Sequence, residues 1–497
     1  MSVIVILFPP LIAALLVTIP FRKPQLWVPG ITVVSCLATL ILAARMAWRI
    51  AAGGSVTENL GAVWLKWIAV DGLSALILLL IALVGTTAAI YSIGYMAHEN
   101  LERKKLRLYH ANYNLFVFSM LAIPLLAEPT LVWIVVELTT LCSALLVSFD
   151  NTREALEAAW KYVVLSLMGA GVALFGFLVL FAAMQAGGGG TYTWAGLVMA
   201  APNMPAILLQ TSFLLILIGL GTKVGLVPMH TWLPDAHSQA PSPVCALLSG
   251  IETTSILYVI LRLFPVMQAV PGAHAETWAL VLGLISVGTA AFLLLQVRDY
   301  KRLFAFSTVE HMGIILTAIG LGASAGDYGA MQQIVNHSVT KSFCFFAAGA
   351  TLLAVDTRDI AAVRGLIRRS PLAGTALIFG GLAIGGAPPL AVFLSEFSIL
   401  KAGLLQEHYV ATGLLAIFIV IAFFGVMAHL NVMVFGAPSH AASGQNHPET
   451  EVVATFQLPF SCRLALILAA VPVLVLGVYV PKPLHQLLTM AAAVLTR

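Results

Sequence analysis

Leu214–His237 reads LLILIGLGTKVGLVPMHTWLPDAH. Its first half is apolar enough to cross a bilayer, yet it carries Lys223, then Gly225 and Pro228. Proline has no N–H and clashes with the preceding turn, so a helix must break here. The carbonyls freed near Gly225 can hold water or a cation. A charge at mid-membrane depth costs at least ~2.5–3.5 kcal/mol, which is why such residues mark ion or proton paths. Lysine in a desolvated site is also a ready proton carrier. The plain alternative, a lysine snorkelling to the interface, fits poorly, because apolar sequence flanks Lys223 by more than two turns on its N-terminal side.

Six more ionisable residues interrupt apolar runs on either side of this stretch: Glu137, Lys161, Glu252, Glu310, Lys341 and Glu396. The chain around them has 497 residues, 60% hydrophobic and 9% charged, with mean hydropathy +0.99. Soluble domains carry ~25% charged residues, so the composition specifies an all-α polytopic membrane protein. The net charge of +4 does not point to nucleic acid, because the basic residues fall in short loops between apolar runs. Cys36, Cys142, Cys245, Cys344 and Cys462 are isolated. That spacing argues against a metal centre, a disulfide framework or a redox cofactor held by this chain.

At ~20 apolar residues per span, fourteen segments emerge: 2–20, 28–49, 72–96, 111–127, 129–149, 157–184, 206–235, 241–264, 276–297, 301–323, 328–355, 372–404, 409–436 and 461–481. Val3–Pro20 lacks the basic start and cleavage site of a signal peptide and reads as a retained span. Segments 7 and 12 are too long for simple spans and carry Pro and Gly near their middles, so both are expected to be broken helices. The chain divides into 1–110 (segments 1–3), a first repeat 111–264, a second repeat 276–436, and 437–497 with the last loop and segment.

Lys and Arg set the orientation. Arg22 and Lys23 follow segment 1, Arg103, Lys104, Lys105 and Arg107 follow segment 3, and Arg153 follows segment 5. Arg298, Lys301 and Arg302 follow segment 9, and Arg358, Arg364, Arg368 and Arg369 follow segment 11. Even-numbered loops have few, among them Arg45, Arg49, Lys66 and Arg262. Odd loops are therefore expected in the cytoplasm and both termini outside.

The ionisable residues also repeat. Glu137, Lys161 and Lys223 lie in segments 5, 6 and 7, and Glu310, Lys341 and Glu396 lie in segments 10, 11 and 12, each 173 to 180 residues later. Five segments separate each pair, and an odd number inverts the second unit. Segments 4–8 and 9–13 are thus expected to be inverted repeats with a broken helix at matching places, as in many transporters.

Each residue has a functional reading beside a structural one. Glu137 in TLVWIVVELTTLCSALL is expected to pair with Lys161 or Lys223, or else to fix helix packing as a static ion pair. Lys161 in EALEAAWKYVVLSLMGAG lies near the cytoplasmic end, where snorkelling competes with transfer. His337 and Lys341 in QQIVNHSVTKSFCFFAAGA share one helix face and suit a relay; a histidine satisfied by backbone is the alternative. Glu310 and His311 begin segment 10, at uncertain depth between interface and interior. Glu396 follows Pro388 and Pro389, with Lys401 as its partner or as a mark of the outer membrane edge. His230, Asp235 and His237 line the second half of segment 7 as a water-filled access route, with too few ligands for zinc. Asp71 reads as a helix N-cap.

KVGLVPMHTWLPDAHSQAPSPVCALLSG (223–250) resembles the signature of the antiporter-like subunits of respiratory complex I, Mrp-type cation/proton antiporters and energy-converting membrane-bound hydrogenases. YSIGYM (91–96), VELTTL (136–141), AAWKY (158–162), RDYKRLFAFSTVEHMGI (298–314), NHSVTKSFCFFAAGA (336–350) and GGAPPLAVFLSEF (385–397) extend the likeness over most of segments 3–12. STVEHMG and SEF look most like the hydrogenase branch and its F-type membrane subunit. The resemblance implies a proton-translocating module in a prokaryotic cytoplasmic membrane, with two linked half-channels. Glu137 would gate Lys223, Lys341 would relay and Glu396 would end the path. One departure stands out: complex I relatives often carry a lysine in segment 8, where LSGIETTSILYVILR has Thr254, with Glu252 two residues earlier. Glu252, His230 and water would then bridge the halves, or conduction would take a shorter route.

The function expected is a subunit of a larger redox-driven complex that moves protons, and conceivably Na+, without redox chemistry of its own. Its partners would be other membrane and peripheral subunits. Rival readings are a membrane partner of a soluble zinc metalloenzyme for inorganic carbon uptake, an Mrp-type cation/proton antiporter subunit, and a structural module with a defunct channel.

Overall fold

The computed structural model describes residues 3–21, 23–53, 67–99, 101–322, 324–437 and 456–496. Arg22 and Lys66, which weighed in the orientation, and the loop 438–455 lie outside the described residues.

In lipid every backbone N–H and C=O must find its partner within the segment, which leaves helix as the answer for so apolar a chain. Regular structure among the described residues is helical apart from two isolated bridges, Ile68 with Leu126 and Asp299 with Asp359. Each of the fourteen expected segments carries helix, and eleven helices are long and apolar enough to cross a membrane. The three other segments depart for local reasons. In segment 1 a 3-10 turn, Val3–Leu7, leads into the short helix Phe8–Leu16. Segment 4 runs Arg103–Ala122 and so begins inside the basic loop, because Lys, Arg and Leu are strong helix formers. Segment 12 is split into Pro371–Ile384 and Ala391–Leu405.

Helices also form outside the expected segments, among them Trp194–Ala200 before segment 7. After segment 14 (Phe460–Val478) the chain forms Lys482–Ala493. Leu484, Leu487, Leu488 and Ala491 recur at helical spacing and face inward. Gly72 of segment 3 lets this helix approach: a Cβ there would lie 2.8 Å from Met490.

Segments 7 and 12 break in the same way. Helix Ala206–Val224 ends at Gly225 with φ +87, and the N–H of Leu226 returns to the carbonyl of Gly221 at 2.8 Å. Helix Pro371–Ile384 gives way at Gly386 with φ +72, and the N–H of Ala387 returns to the carbonyl of Leu382 at 2.9 Å. A left-handed glycine followed by a five-residue back-bond is the usual way to close a helix C-terminus. Pro228 and Pro388 follow within three residues and prevent continuation.

Segments 3, 8, 10 and 11 form the inner shell, while segments 2, 6, 13 and 14 turn much of their surface outward. Polar residues cost least where other helices can satisfy them. Glu252, Glu310, His311, His337 and Lys341 all sit on these inner helices.

Two residues counted as loop charges are buried. Arg262 pairs through both terminal nitrogens with Asp71 and also donates to Ser74 and Tyr258. Lys301 is enclosed at the start of segment 10 and donates to the Ala240 carbonyl at 2.5 Å. Neither is free to mark a loop. Asp71 is the expected N-cap as well, accepting from the Ser74 N–H at 3.0 Å.

Candidate functional site

Lys223 sits in the last turn before the break, 2% exposed. Its ammonium donates to the Val136 carbonyl at 2.7 Å, to Thr139 Oγ1 at 2.6 Å and to Thr140 Oγ1 at 2.5 Å. An ammonium has three N–H groups, so all are committed to segment 5. Glu252 Oε1 lies 3.4 Å from Nζ as the ion-pair partner. The expected partner, Glu137, is not the one chosen. Segment 8 explains why: Leu248–Glu252 is a π-turn, which re-aims the Glu252 side chain into the interior.

Glu252 is 1% exposed. Its Oε1 accepts from Thr139 Oγ1 at 3.1 Å and from the Tyr162 hydroxyl at 3.0 Å. Thr139 takes a hydrogen bond from Lys223, and its single hydroxyl hydrogen has two acceptors, the Val136 carbonyl at 2.7 Å and Glu252 Oε1 at 3.1 Å, so turned to Glu252 it bridges the pair. Glu252 Oε2 is buried with no hydrogen-bond partner.

The second half is built alike. Lys341 is fully buried on segment 11 and donates to the Phe304 carbonyl at 2.5 Å and to Ser307 Oγ on segment 10. Both lysines thus meet a carbonyl and the hydroxyl three residues on: Val136 with Thr139, and Phe304 with Ser307. Glu310, one turn beyond Ser307, is 5% exposed, enclosed by neighbouring helices. The hydroxyls of Ser307 and Thr308 both bond back to the Phe304 carbonyl.

His337 Nε2 is 3.1 Å from the Ser249 carbonyl, on the π-turn that carries Glu252. A carbonyl only accepts, so Nε2 carries the hydrogen and Nδ1 is an acceptor. Nδ1 is buried and unpartnered. The His311 ring lies 5.1 Å from that of His337. His311 Nε2 donates to the Ile384 carbonyl, released by the break in segment 12, at 3.0 Å. His311 Nδ1 accepts from Gln333 at 3.0 Å, and Gln333 in turn accepts from Ser395 Oγ. Asn336 ties Ser395 in place at 3.0 Å and reaches the Ala391 carbonyl at 2.6 Å. The next residue, Glu396, is 5% exposed. Its Oε2 rests against Gly386, where a Cβ would come within 2.2 Å.

The structure thus gathers Lys223, Glu252, His337, His311, Lys341, Glu310 and Glu396 into one enclosed row. Other expected residues lie off it. Glu137 is half-buried on segment 5, with both carboxylate oxygens shielded and unpartnered. Lys161 is half-exposed and paired with Glu157 at 2.8 Å and Asp235 at 3.1 Å. Asp235 also meets Arg302 at 2.7 Å. The expected Lys161–Glu137 pairing is therefore absent, and Asp235 is a link between segments 6, 7 and 10. His230 is partly exposed, with Nδ1 unpartnered. His237 is buried, its ring 5.2 Å from that of Phe345. Lys401 is exposed and makes no ion pair with Glu396. Thr139, Thr140, Tyr162, Ser249, Gln333 and Ser395 were not singled out in the sequence. Thr140 stands one turn from Glu137 and Tyr162 beside Lys161, which was the available signal.

The family described as NADH:quinone oxidoreductase/Mrp antiporter, TM, matches residues 126–425. That span covers both breaks and the whole row. The chain belongs to this antiporter-like family. A complex I chain 5 N-terminal family also matches residues 67–103. The Hydrogenase-4 component F homolog of Methylacidiphilum infernorum is 38% identical over 420 residues, covering 83% of this chain and 85% of that protein. Longer curated relatives, such as the Na(+)/H(+) antiporter subunit A1 of Staphylococcus aureus at 28% identity, are spanned over 52% of their length. The membrane-bound sulfane sulfur reductase, an archaeal respiratory membrane complex, has a chain that superposes with TM-score 0.85 at 23% identity, covering 99% of this chain and 97% of that one. A chain of the Mrp complex from Dietzia sp. DQ12-45-1b gives the same TM-score and coverage at 20% identity. This antiporter-like chain is therefore a multi-pass integral membrane protein with the antiporter-like helical fold.

Chemically, the antiporter-like row sets proton donors and acceptors in enclosed hydrogen-bonded groups, Lys223 with Thr139 and Glu252, and His311 with Gln333 and Ser395. Such an arrangement suits proton transfer between neighbouring groups.

Proposed function

We propose that this chain is a proton-translocating membrane subunit of a larger redox-driven complex of the hydrogenase or complex I type. The observation that carries this is the enclosed Lys223–Thr139–Glu252 arrangement, followed by His337 on the Ser249 carbonyl and by the His311–Gln333–Ser395 chain that ends beside Glu396. A proton leaves the Lys223 ammonium through the Thr139 hydroxyl to Glu252. Glu252 Oε2 and His337 Nδ1, both shielded and unpartnered, form the next donor and acceptor. Lys341 and Glu310 flank the second half, and Glu396 ends it. Glu137 lies beside this path as a charge that biases Lys223.

On this reading the chain holds no cofactor, and the redox chemistry belongs to partner subunits. It lies in a prokaryotic cytoplasmic membrane with fourteen spans, odd loops inside and both termini outside. The twin breaks at Gly225 and Gly386 and the two matched lysine sites support an inverted-repeat plan. A second reading, an Mrp-type cation/proton antiporter subunit, is favoured by the family description and by the fold shared with the Mrp complex. The two separate in sealed vesicles holding the native complex. The redox reading expects proton uptake driven by substrate oxidation and indifferent to Na+. Proton flux that requires a Na+ gradient and no electron donor contradicts it.

A further inference from the structure

A second polar feature stands apart from the row. A cavity of about 750 Å3 opens between the end of segment 3, the loop after segment 5, the turn joining segments 7 and 8, and the ends of segments 10 and 11. Glu99, Asp150, Asp356 and Asp359 line it, together with Ala240 and Lys301. Partial desolvation, and then the neighbouring Asp150 carboxylate, push the Glu99 carboxyl up from the usual carboxylate range, which favours a proton held at the rim.

His237 stands three residues before Ala240, on the same turn, and is fully buried. Its Nδ1 is 2.8 Å from the Leu233 carbonyl and must donate to it. Nε2 is then an acceptor, shielded and without a partner. A buried polar atom left unpaired is costly and calls for an explanation. The ring packs 5.2 Å from Phe345, one turn beyond Lys341, and Phe345 lies 6.1 Å from Phe304, whose carbonyl holds the Lys341 ammonium. On segment 8, Cys245 donates its thiol to the His237 carbonyl at 3.1 Å and leaves the ring untouched.

We propose that His237 is the proton-uptake relay joining this cavity to Lys341. Nε2 takes a proton from the cavity side, giving an imidazolium whose Nδ1–H stays on Leu233. Nε2 then gives that proton to the neutral amine of Lys341, which becomes the ammonium seated on Phe304 and Ser307. The original tautomer returns without exchange at Nδ1. Phe345, 5.2 Å from the His237 ring and 6.1 Å from Phe304, packs on this side of the transfer.

This inference rests on the proton-translocation reading, and one experiment separates the two. Proton uptake is measured in vesicles holding the native complex with His237, His237→Asn or His237→Ala, with assembly checked by copurification. Asn keeps a donor for Leu233 but has no proton-carrying Nε2. Its uptake should fall at least about tenfold, within the range for a lost acid–base group. His237→Ala should fall similarly and regain several-fold when millimolar imidazole is supplied on the cavity side. His237→Asn at the wild-type rate, or His237→Ala slow and indifferent to imidazole, overturns the inference alone. A wild-type complex that moves no protons overturns the underlying reading and this inference with it.

Discussion

The carboxylate of Glu252 lies 3.4 Å from the ammonium of Lys223, and both side chains are closed off from solvent. Removing one member of such a pair strands the other charge, which costs about 3–5 kcal/mol, while replacing both with neutral groups is often tolerated. Lys223→Met alone should therefore lower the thermal stability of the complex and abolish proton transfer. Lys223→Met with Glu252→Gln should recover most of the stability and none of the transfer. A thermal shift assay beside vesicle pumping checks both halves, and recovery of pumping in the double variant would contradict the assignment.

Gly386 serves two purposes, and a paired substitution distinguishes them. Its φ of +72 disfavours any side chain by about 1–2 kcal/mol. Gly322 has a similar φ of +68 but open space around it, the nearest atom to a Cβ being Glu276 Cγ at 3.7 Å. Gly322→Ala should cost stability alone. Gly386→Ala should also displace Glu396 and slow proton release. Equal pumping by the two variants would show that Glu396 does not depend on this seat.

Asp71 gives a pH signature. Burial raises its pKa, but the charge and hydrogen bonds of Arg262 outweigh burial and hold the carboxyl below its ordinary value. A carboxylate depressed by folding adds stability above its unfolded pKa, and that stability is lost as pH falls through the folded value. The wild-type protein should lose stability on acidification below the ordinary carboxylate range. Asp71→Asn should be less stable at neutral pH and lose less on acidification. Parallel stability curves for the two proteins would refute the pairing.

The sequence carried much of this account, with limits set by particular residues. Segment 7 was legible as a broken helix because Gly225 and Pro228 interrupt an apolar run. Segment 12 was legible in the same way from Pro388 and Pro389. The inner row was legible as costly charges. Which charge meets which was not. Glu137 reads as a partner of Lys161 or Lys223 because it is the carboxylate in the neighbouring apolar segment, while the π-turn that aims Glu252 inward leaves no mark in LSGIE. Thr139, Gln333 and Ser395 are ordinary helix residues in sequence, and only packing reveals their roles. Arg262 and Lys301 read as loop charges because sequence places them at helix ends. Their burial depends on Asp71 and Ala240, 191 and 61 residues away.

The central claim is that Glu252 receives the Lys223 proton and passes it onward. Glu252→Gln keeps the shape of the side chain and its acceptor for Thr139 and Tyr162 but cannot take a proton. The decisive measurement is the initial rate of redox-driven proton uptake in vesicles holding the assembled Glu252→Gln complex. The account predicts a fall of about 10²-fold or more with assembly unchanged. An assembled Glu252→Gln complex that pumps at the wild-type rate would contradict it.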